Sequence, residues 1–157
     1  MAQAGLSTLG ILFGYAAEST ANTKPATFAL LDRINSIGGV SLSTEQIDAS
    51  ALEDMVSRYV AGRADTGGSF PVTVNVTNET TEQWQNVITA YSALTEGKRM
   101  WFEVWSPNLT KAFYIVAQPP QKLPMPESAQ NGLWIMEIPL TIEEYVGLDV
   151  AIKPTEG

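Results

Sequence analysis

The connection at residues 45–69 constrains the fold of this chain more than any other feature of its sequence. The segments 40–47 and 70–77 read as strands, and compact domains seldom join strands through more than about 15 residues unless the connection has a function. The connection is acidic, takes up about a sixth of the chain and contains glycines at 62, 67 and 68. It carries no catalytic pattern. On a strand-rich scaffold, such a projecting loop indicates contact with neighbouring molecules.

The length and composition predict one globular domain over residues 1–157, with a hydrophobic core of its own. The chain contains no run of 18 or more apolar residues, so we expect no membrane span. The apolar stretch 9–17 has no basic residue before it and is interrupted by Gly10 and Gly14, which argues against a signal peptide. With no cysteine to form disulfides, a cytosolic site of synthesis is expected.

The net charge of −8 is unevenly distributed along the chain. Residues 45–65 carry five acids and two bases, and residues 127–157 carry six acids and only Lys153 as a base. No basic stripe exists, so the sequence argues against nucleic-acid binding through phosphates. An acidic surface that repels DNA is compatible with this distribution.

The order of predicted elements is an extended N-terminal arm over 1–26, several strands and one helix over 80–96. Thr80 with Gln83 resembles a capping box, and Gly97 follows the expected C-terminus. Proline lacks the N–H that an inner strand uses, so Pro71 is expected near the start of its strand or at an edge, and Pro139 indicates an edge or a bulge. The helix turns one apolar face inward: Trp84, Val87, Ile88, Tyr91 and Leu94. The predicted strands cover 28–34, 40–47, 70–77, 99–106, 112–118 and 133–142.

This order predicts a mainly β fold with one α-helix: an antiparallel β-sandwich or open barrel flanked by the helix, with a long projecting loop and an N-terminal arm. Several strands carry large apolar residues on both faces. One helix covers only one face of such a sheet, so the other face needs a different cover.

The inventory of chemically active residues argues against an enzyme. Histidine and cysteine are both absent, which removes the usual catalytic triads and the commonest metal ligands. The adjacent carboxylates Glu53–Asp54 and Glu143–Glu144 would point to opposite faces of a strand, so they read as surface charge. The segment 62–68 lacks the lysine of a phosphate-binding loop. We therefore expect no catalytic residues, no metal and no cofactor.

The four tryptophans fall into two groups. Trp84 on the helix and Trp134 on the last strand are expected in the core. Trp101 and Trp105 lie on the strand face opposite Met100, and three interpretations stay open for them: a covered core position, a subunit interface, or a platform that binds sugar rings.

Four segments together resemble the major tail proteins, or tail-tube proteins, of long-tailed bacteriophages. They are Leu-Gly-Ile-Leu-Phe-Gly-Tyr-Ala-Ala-Glu-Ser at 9–19 leading to Phe28, Glu-Gln-Ile-Asp at 45–48 before Arg-Tyr-Val-Ala-Gly-Arg-Ala-Asp at 58–65, the single amphipathic helix, and Tyr-Val-Gly-Leu-Asp at 145–149. The resemblance implies subunits that form hexameric rings and stack into a hollow tube for DNA delivery. It also implies tape-measure and tail-tip or terminator proteins as partners, and a place in a virion tail assembled in the host cytoplasm.

Two other functions remain open at this point. The inner-tube proteins of type VI secretion systems share the implied architecture. A carbohydrate-binding or adhesin module would use Trp101 and Trp105 as its platform.

Tube assembly predicts two sets of functional residues. Acidic side chains that face the lumen, across which DNA slides, are expected at Glu53, Asp54 and Asp65. Contacts between subunits are expected at Leu6, Leu9, Ile11, Phe13, Tyr15, Met55, Val56, Tyr59 and Val60.

Overall fold

The computed structural model describes residues 4–53, 55–65, 68–95 and 97–156, without the side chains of residues 44–45 and 62–65. These residues form β-strands and one α-helix. The elements are β1 (Leu12–Ala17), β2 (Ala29–Leu31), β3 (Ile34–Ile37), β4 (Ser43–Asp48), β5 (Tyr59–Asp65), β6 (Ser69–Asn75), α1 (Asn78–Ser92), β7 (Met100–Trp105), β8 (Lys111–Gln118) and β9 (Ile135–Val150).

Seven strands form one antiparallel sheet in the order β2-β1-β7-β8-β9-β6-β3. Its two edge strands, β2 and β3, are joined only by Asp32 and Arg33, so the sheet curls until its edges approach each other. Arg33 takes a positive φ of 55°, which turns the chain sharply between the two edges. The predicted mainly β fold, an open barrel or sandwich flanked by one helix, is confirmed.

The core fills the inside of the curled sheet and is closed by α1. Phe13 on β1 lies 6.4 Å from Phe70 on β6, measured between ring centroids, although three strands separate β1 from β6 in the sheet. Trp84 of the helix stacks on both Phe13 and Phe102, at 6.3 and 6.4 Å. Trp84 is fully buried, so its predicted core position is confirmed.

The helix covers Asn78–Ser92, so it begins two residues before the predicted start at 80 and ends four residues before the predicted end at 96. Thr77 is the N-cap and accepts a hydrogen bond from the Thr80 backbone N–H, while the Thr80 hydroxyl accepts one from Thr77 N–H. The predicted capping pair of Thr80 with Gln83 is therefore wrong. Gln83 instead bonds Asp32 through both its amide oxygen and its amide nitrogen, at 3.0 and 2.7 Å, and so ties the helix to the β2–β3 link.

The N-terminal segment is not a free arm along its whole length. Leu12–Ala17 forms β1, which is hydrogen-bonded between β2 and β7. Phe13 is 1% exposed because its side chain points into the barrel. The apolar residues that suggested an arm thus belong in part to the subunit's own core.

The long connection is a β-hairpin. Strands β4 and β5 form a separate two-stranded antiparallel sheet, with Ile47 opposite Val60 and Asp48 opposite Tyr59. The described residues between these strands form its tip.

The longest strand, β9, pairs with β6 along its first half and with β8 along its second. Pro71 lies near the start of β6, one of the two positions expected for it, and directly opposite Pro139. Pro139 lies in the first half of β9, which pairs with β6 on one side only, in keeping with the expected edge. Neither proline donates a hydrogen bond, and both fit here because alternate pairs of an antiparallel ladder exchange none. Gly147 has a φ of 85°, at the irregular part of the β8–β9 register.

Candidate assembly surfaces

The β4–β5 hairpin exposes apolar side chains at its tip and on the strand residues next to the tip. Ile47, Tyr59 and Val60 on the two strands are each more than half exposed. At the tip, Leu52 and Met55 are completely exposed, and Val56 is 77% exposed. The predicted contact residues Met55, Val56, Tyr59 and Val60 are therefore all exposed on the hairpin.

Local hydrogen bonds join the two chain segments where the tip meets the strands, but they leave the apolar side chains of the tip exposed. Ala49 N–H donates to the Arg58 carbonyl at 2.8 Å, and Arg58 N–H donates to Ser50 Oγ at 2.7 Å. Ser50 N–H donates to Asp48 Oδ1, and this bond lowers the pKa of Asp48. Because an isolated two-stranded hairpin is marginal in water, the exposed apolar residues are suited to a surface that packs against a partner.

The apolar residues of the N-terminus separate into two groups. Leu6 is 45% and Leu9 is 82% exposed, so both are available for contact with another subunit. Ile11 and Tyr15 are half-buried, and Tyr15 packs against the barrel core beside the buried Phe13. Leu6 and Leu9 precede β1, which begins at Leu12, whereas Phe13 and Tyr15 are alternate residues of β1 and face the core.

A cleft of about 610 Å³ opens at one end of the barrel. It is lined by β3, by the end of β7, by residues of β8 and by Phe70 at the start of β6. None of its lining side chains is charged, although the chain carries a net charge of −8. Its apolar walls include Ile11, Ile34, Ile37, Val40, Val104 and Phe113.

The outer face of the sheet is covered by the chain's own segments. Trp101 is 5% exposed and packs with Phe28, Tyr114 and Ile152 in a second apolar cluster. The C-terminal residues reach the β2 edge, where Leu30 N–H donates to the Thr155 carbonyl at 2.9 Å. The cover that one helix cannot provide is thus supplied by the loop before β2 and by the C-terminus.

Glu18 is a buried hydrogen-bond acceptor beside this second apolar cluster. It is 2% exposed and accepts hydrogen bonds from Trp101 Nε1 at 2.9 Å and Arg99 N–H at 2.7 Å. Burial raises the pKa of Glu18, but these hydrogen bonds and the Arg99 charge outweigh burial, so the pKa lies below its ordinary value. The same guanidinium also bonds the exposed Glu144 at 3.0 Å.

The tryptophans do not form an exposed sugar platform. Trp101 is buried, and the half-buried Trp105 has Lys153 Nζ 5.6 Å from its ring centroid. The covered-core interpretation is confirmed for Trp101. Trp134, expected in the core, is 48% exposed, so that prediction is wrong. It precedes β9, where its carbonyl accepts from Val76 N–H at the end of the barrel wall.

Of the three acidic side chains predicted to face the lumen, the structure describes only one. Glu53 is exposed at the hairpin tip, next to Leu52. Asp54 lies outside the described residues, and so does the side chain of Asp65 on β5. Within the described ranges, no three carboxylates converge as a metal site would require, and no helix is long and apolar enough to cross a membrane.

The comparisons with known proteins give a fold but no family. No protein-family model and no curated protein matches the chain. The structure is similar to a chain of the six-fold symmetrised baseplate of the anti-feeding prophage (AFP), with a TM-score of 0.55 and 14% identity over 97% of this chain and 98% of that one.

A second similar structure is a chain of the tail of an empty GTA particle, determined with C6 symmetry. The TM-score is 0.59, with 13% identity over 94% of this chain and 99% of that one. At these identities the likeness establishes the fold alone. This chain therefore has the fold of subunits that occur in symmetric baseplate and tail particles.

Proposed function

We propose that this chain is a structural protein of a phage tail, and that it polymerises as stacked hexameric rings into the tail tube. The observation that carries the proposal is the β4–β5 hairpin, which exposes Leu52, Met55 and Val56 on a fold shared with subunits of six-fold tail and baseplate particles. Exposed apolar patches of this kind mark protein contacts.

In a ring, each subunit contacts one neighbour through one patch and the other neighbour through a second, different patch. Such a head-to-tail contact repeats by rotation until the ring closes, so the two patches must be complementary. The hairpin supplies one patch. The barrel supplies others: the open edge of β3, the apolar cleft, and the exposed Leu6 and Leu9. Unpaired strand edges become joints when strands from two subunits pair.

The proposed tube acts as a conduit for DNA without binding it specifically. The acidic balance of the chain supports a lumen that repels phosphates, with Glu53, Asp54 and Asp65 as the proposed lining. Tape-measure and tail-tip or terminator proteins are the proposed partners, and assembly takes place in the host cytoplasm. No catalytic step is part of this function.

Negative-stain electron microscopy of the concentrated, purified protein tests the proposal. Rings or tubes of uniform width are expected. Single rings that never stack would favour a baseplate ring over a tube, in line with the AFP similarity. A protein that stays monomeric at every concentration would contradict both.

A further inference from the structure

The turn before β9 contains the only Asn-Gly pair of the sequence, Asn131–Gly132. Both residues are exposed. Asn131 has a φ of 61°, in the left-handed region that asparagine tolerates better than most residues. Because Gly132 carries no side chain, nothing attached to its Cα shields its backbone nitrogen from the side-chain amide of Asn131.

We propose that Asn131 is a site of spontaneous deamidation, at which the chain modifies itself without an enzyme. The backbone nitrogen of Gly132 attacks the side-chain amide carbon of Asn131, and the new carbon–nitrogen bond closes a succinimide ring. The side-chain nitrogen leaves as ammonia and takes the proton of the Gly132 N–H with it. Water, the only co-reactant, then opens the ring. Opening at one carbonyl gives aspartate, and opening at the other gives isoaspartate, in which the main chain runs through the former side-chain carbonyl.

Asn22 provides a comparison within the same chain. Its φ is 59° and it is also exposed, so it matches Asn131 in both respects. The residue after it is Thr23, whose β-branched side chain crowds the backbone nitrogen that would have to attack. Conversion is therefore expected at Asn131 and not at Asn22.

The conversion changes the charge of a surface while leaving the barrel in place. It adds one carboxylate close in sequence to Leu133 and Trp134, which are both exposed, and isoaspartate also adds one methylene group to the main chain. Both changes fall before the bond from Val76 N–H to the Trp134 carbonyl and before the β6–β9 pairing, so the fold is expected to persist. Because the released ammonia is lost to solvent, the converted fraction increases with the age of the protein.

Peptide mass spectrometry of the full chain, aged in neutral buffer, tests this inference. The peptide that contains Asn131 is expected to gain the mass difference between an –NH2 and an –OH group, and an isoaspartate-specific methyltransferase should label it. The peptide that contains Asn22 should keep its mass in the same sample. The rate at Asn131 should rise with pH, because the Gly132 nitrogen attacks after it has lost its proton.

Gly132→Ala is the matched variant. Among the described residues, a Cβ at this position would meet only the Ala129 carbonyl oxygen, at 3.7 Å, which is an ordinary van der Waals contact. The φ of Gly132 is not positive, so alanine fits the backbone as well. The variant is expected to retain nearly all of its Asn131 over an interval in which half of the wild type converts.

Three results would each overturn the inference. They are equal conversion in wild type and Gly132→Ala, conversion at Asn22 as fast as at Asn131, and a folded protein that keeps Asn131 intact while a synthetic peptide of residues 127–136 converts. The last result would mean that the folded turn protects the amide. The reaction needs only the single subunit, so none of these results bears on the proposed assembly.

Discussion

Glu103 Oε2 lies 2.7 Å from the hydroxyl oxygen of Tyr114, and both groups are completely buried. The same hydroxyl contacts the Val150 carbonyl, and Ile152 N–H donates to Glu103 Oε2 at 3.0 Å. Tyr114 has only one hydroxyl hydrogen to share between a carboxyl and a carbonyl. A proton on Glu103 completes the network, because the carboxyl then donates to Tyr114 and Tyr114 donates to Val150.

This arrangement predicts that stability falls as the pH rises above 4.5, the ordinary value for Glu103. Burial raises the pKa of Glu103 in the folded protein, and the hydrogen bonds and the Lys24 charge lower it only in part. The stability that the protonated form contributes is fully present below pH 4.5 and is lost as the pH rises through the folded pKa. The pKa of Asp149 is lowered by the hydrogen bond from Val150 N–H and by the charge of the nearby Lys24.

Urea unfolding at several pH values, in wild type and in Glu103→Gln, measures this effect. In the variant, stability is expected not to fall as the pH rises above 4.5. The substitution itself is expected to lower the free energy of unfolding by about 1 kcal/mol, because one hydrogen bond is missing. An unchanged pH dependence in Glu103→Gln would show that Glu103 is not the group responsible.

Glu18 is expected to behave in the opposite sense. Its pKa is lowered, so its contribution to stability is present at neutral pH and is lost as the pH falls through the folded value. Glu18→Ala removes the acceptor of the Trp101 and Arg99 bonds and is expected to destabilise the fold by about 3 kcal/mol. The control is Glu144→Ala, which removes an exposed partner of the same Arg99 and should cost less than about 1 kcal/mol. Equal losses measured by urea unfolding would contradict the anchoring role.

Substitutions of Phe13 and Leu9 test whether the N-terminal segment consists of an exposed part followed by a core strand. Phe13→Ala opens a cavity beside Phe70 and Trp84, and a loss of about 4 kcal/mol in the free energy of unfolding is expected. Leu9→Ala is expected to change that free energy by less than about 0.5 kcal/mol, because the side chain is exposed. Thermal or urea unfolding of the two variants checks the contrast. A stable Phe13→Ala subunit would show that β1 is not part of the core.

Met55 and Met125 form a matched pair for assembly, since both side chains are almost fully exposed in the subunit. Met55 lies at the hairpin tip, whereas Met125 lies in the proline-rich segment after β8. Burial of a methionine contributes about 2 kcal/mol, so Met55→Ser is expected to raise the concentration needed for assembly about 30-fold. Met125→Ser should leave it unchanged. Sedimentation velocity over a concentration series measures both, and an equal effect of the two substitutions would argue against the hairpin as the joint.

Features set by local sequence patterns could be predicted for this chain, whereas features set by contacts between distant segments could not. The alternation along β6 and the apolar face of α1 are local patterns, and they predicted the strand-rich fold and the buried Trp84. The fate of Trp101 and Trp134 depends on which distant segment covers each face. Trp101 is buried because Phe28 and Ile152 pack over it, and no pattern near Trp101 indicates this.

The predicted strand at 40–47 overlaps β4 (Ser43–Asp48), but the pairing of β4 with β5 was not predicted from the sequence. Two-stranded pairing between β4 and β5 joins residues whose alternation is weak on both sides, with glycine at 62 and acids interspersed. In the same way, β1 read as an arm because three nearby glycines weaken a strand pattern. Its place in the sheet comes from pairing with β7, which follows more than 80 residues later.

Cryo-electron microscopy of the assembled protein tests the central claim most directly, because it locates the β4–β5 hairpin relative to neighbouring subunits. The account predicts stacked six-fold rings in which each tip, with Leu52, Met55 and Val56, is buried against another copy. An assembly in which the hairpin projects freely into solvent, or a protein that forms no rings at all, would contradict it.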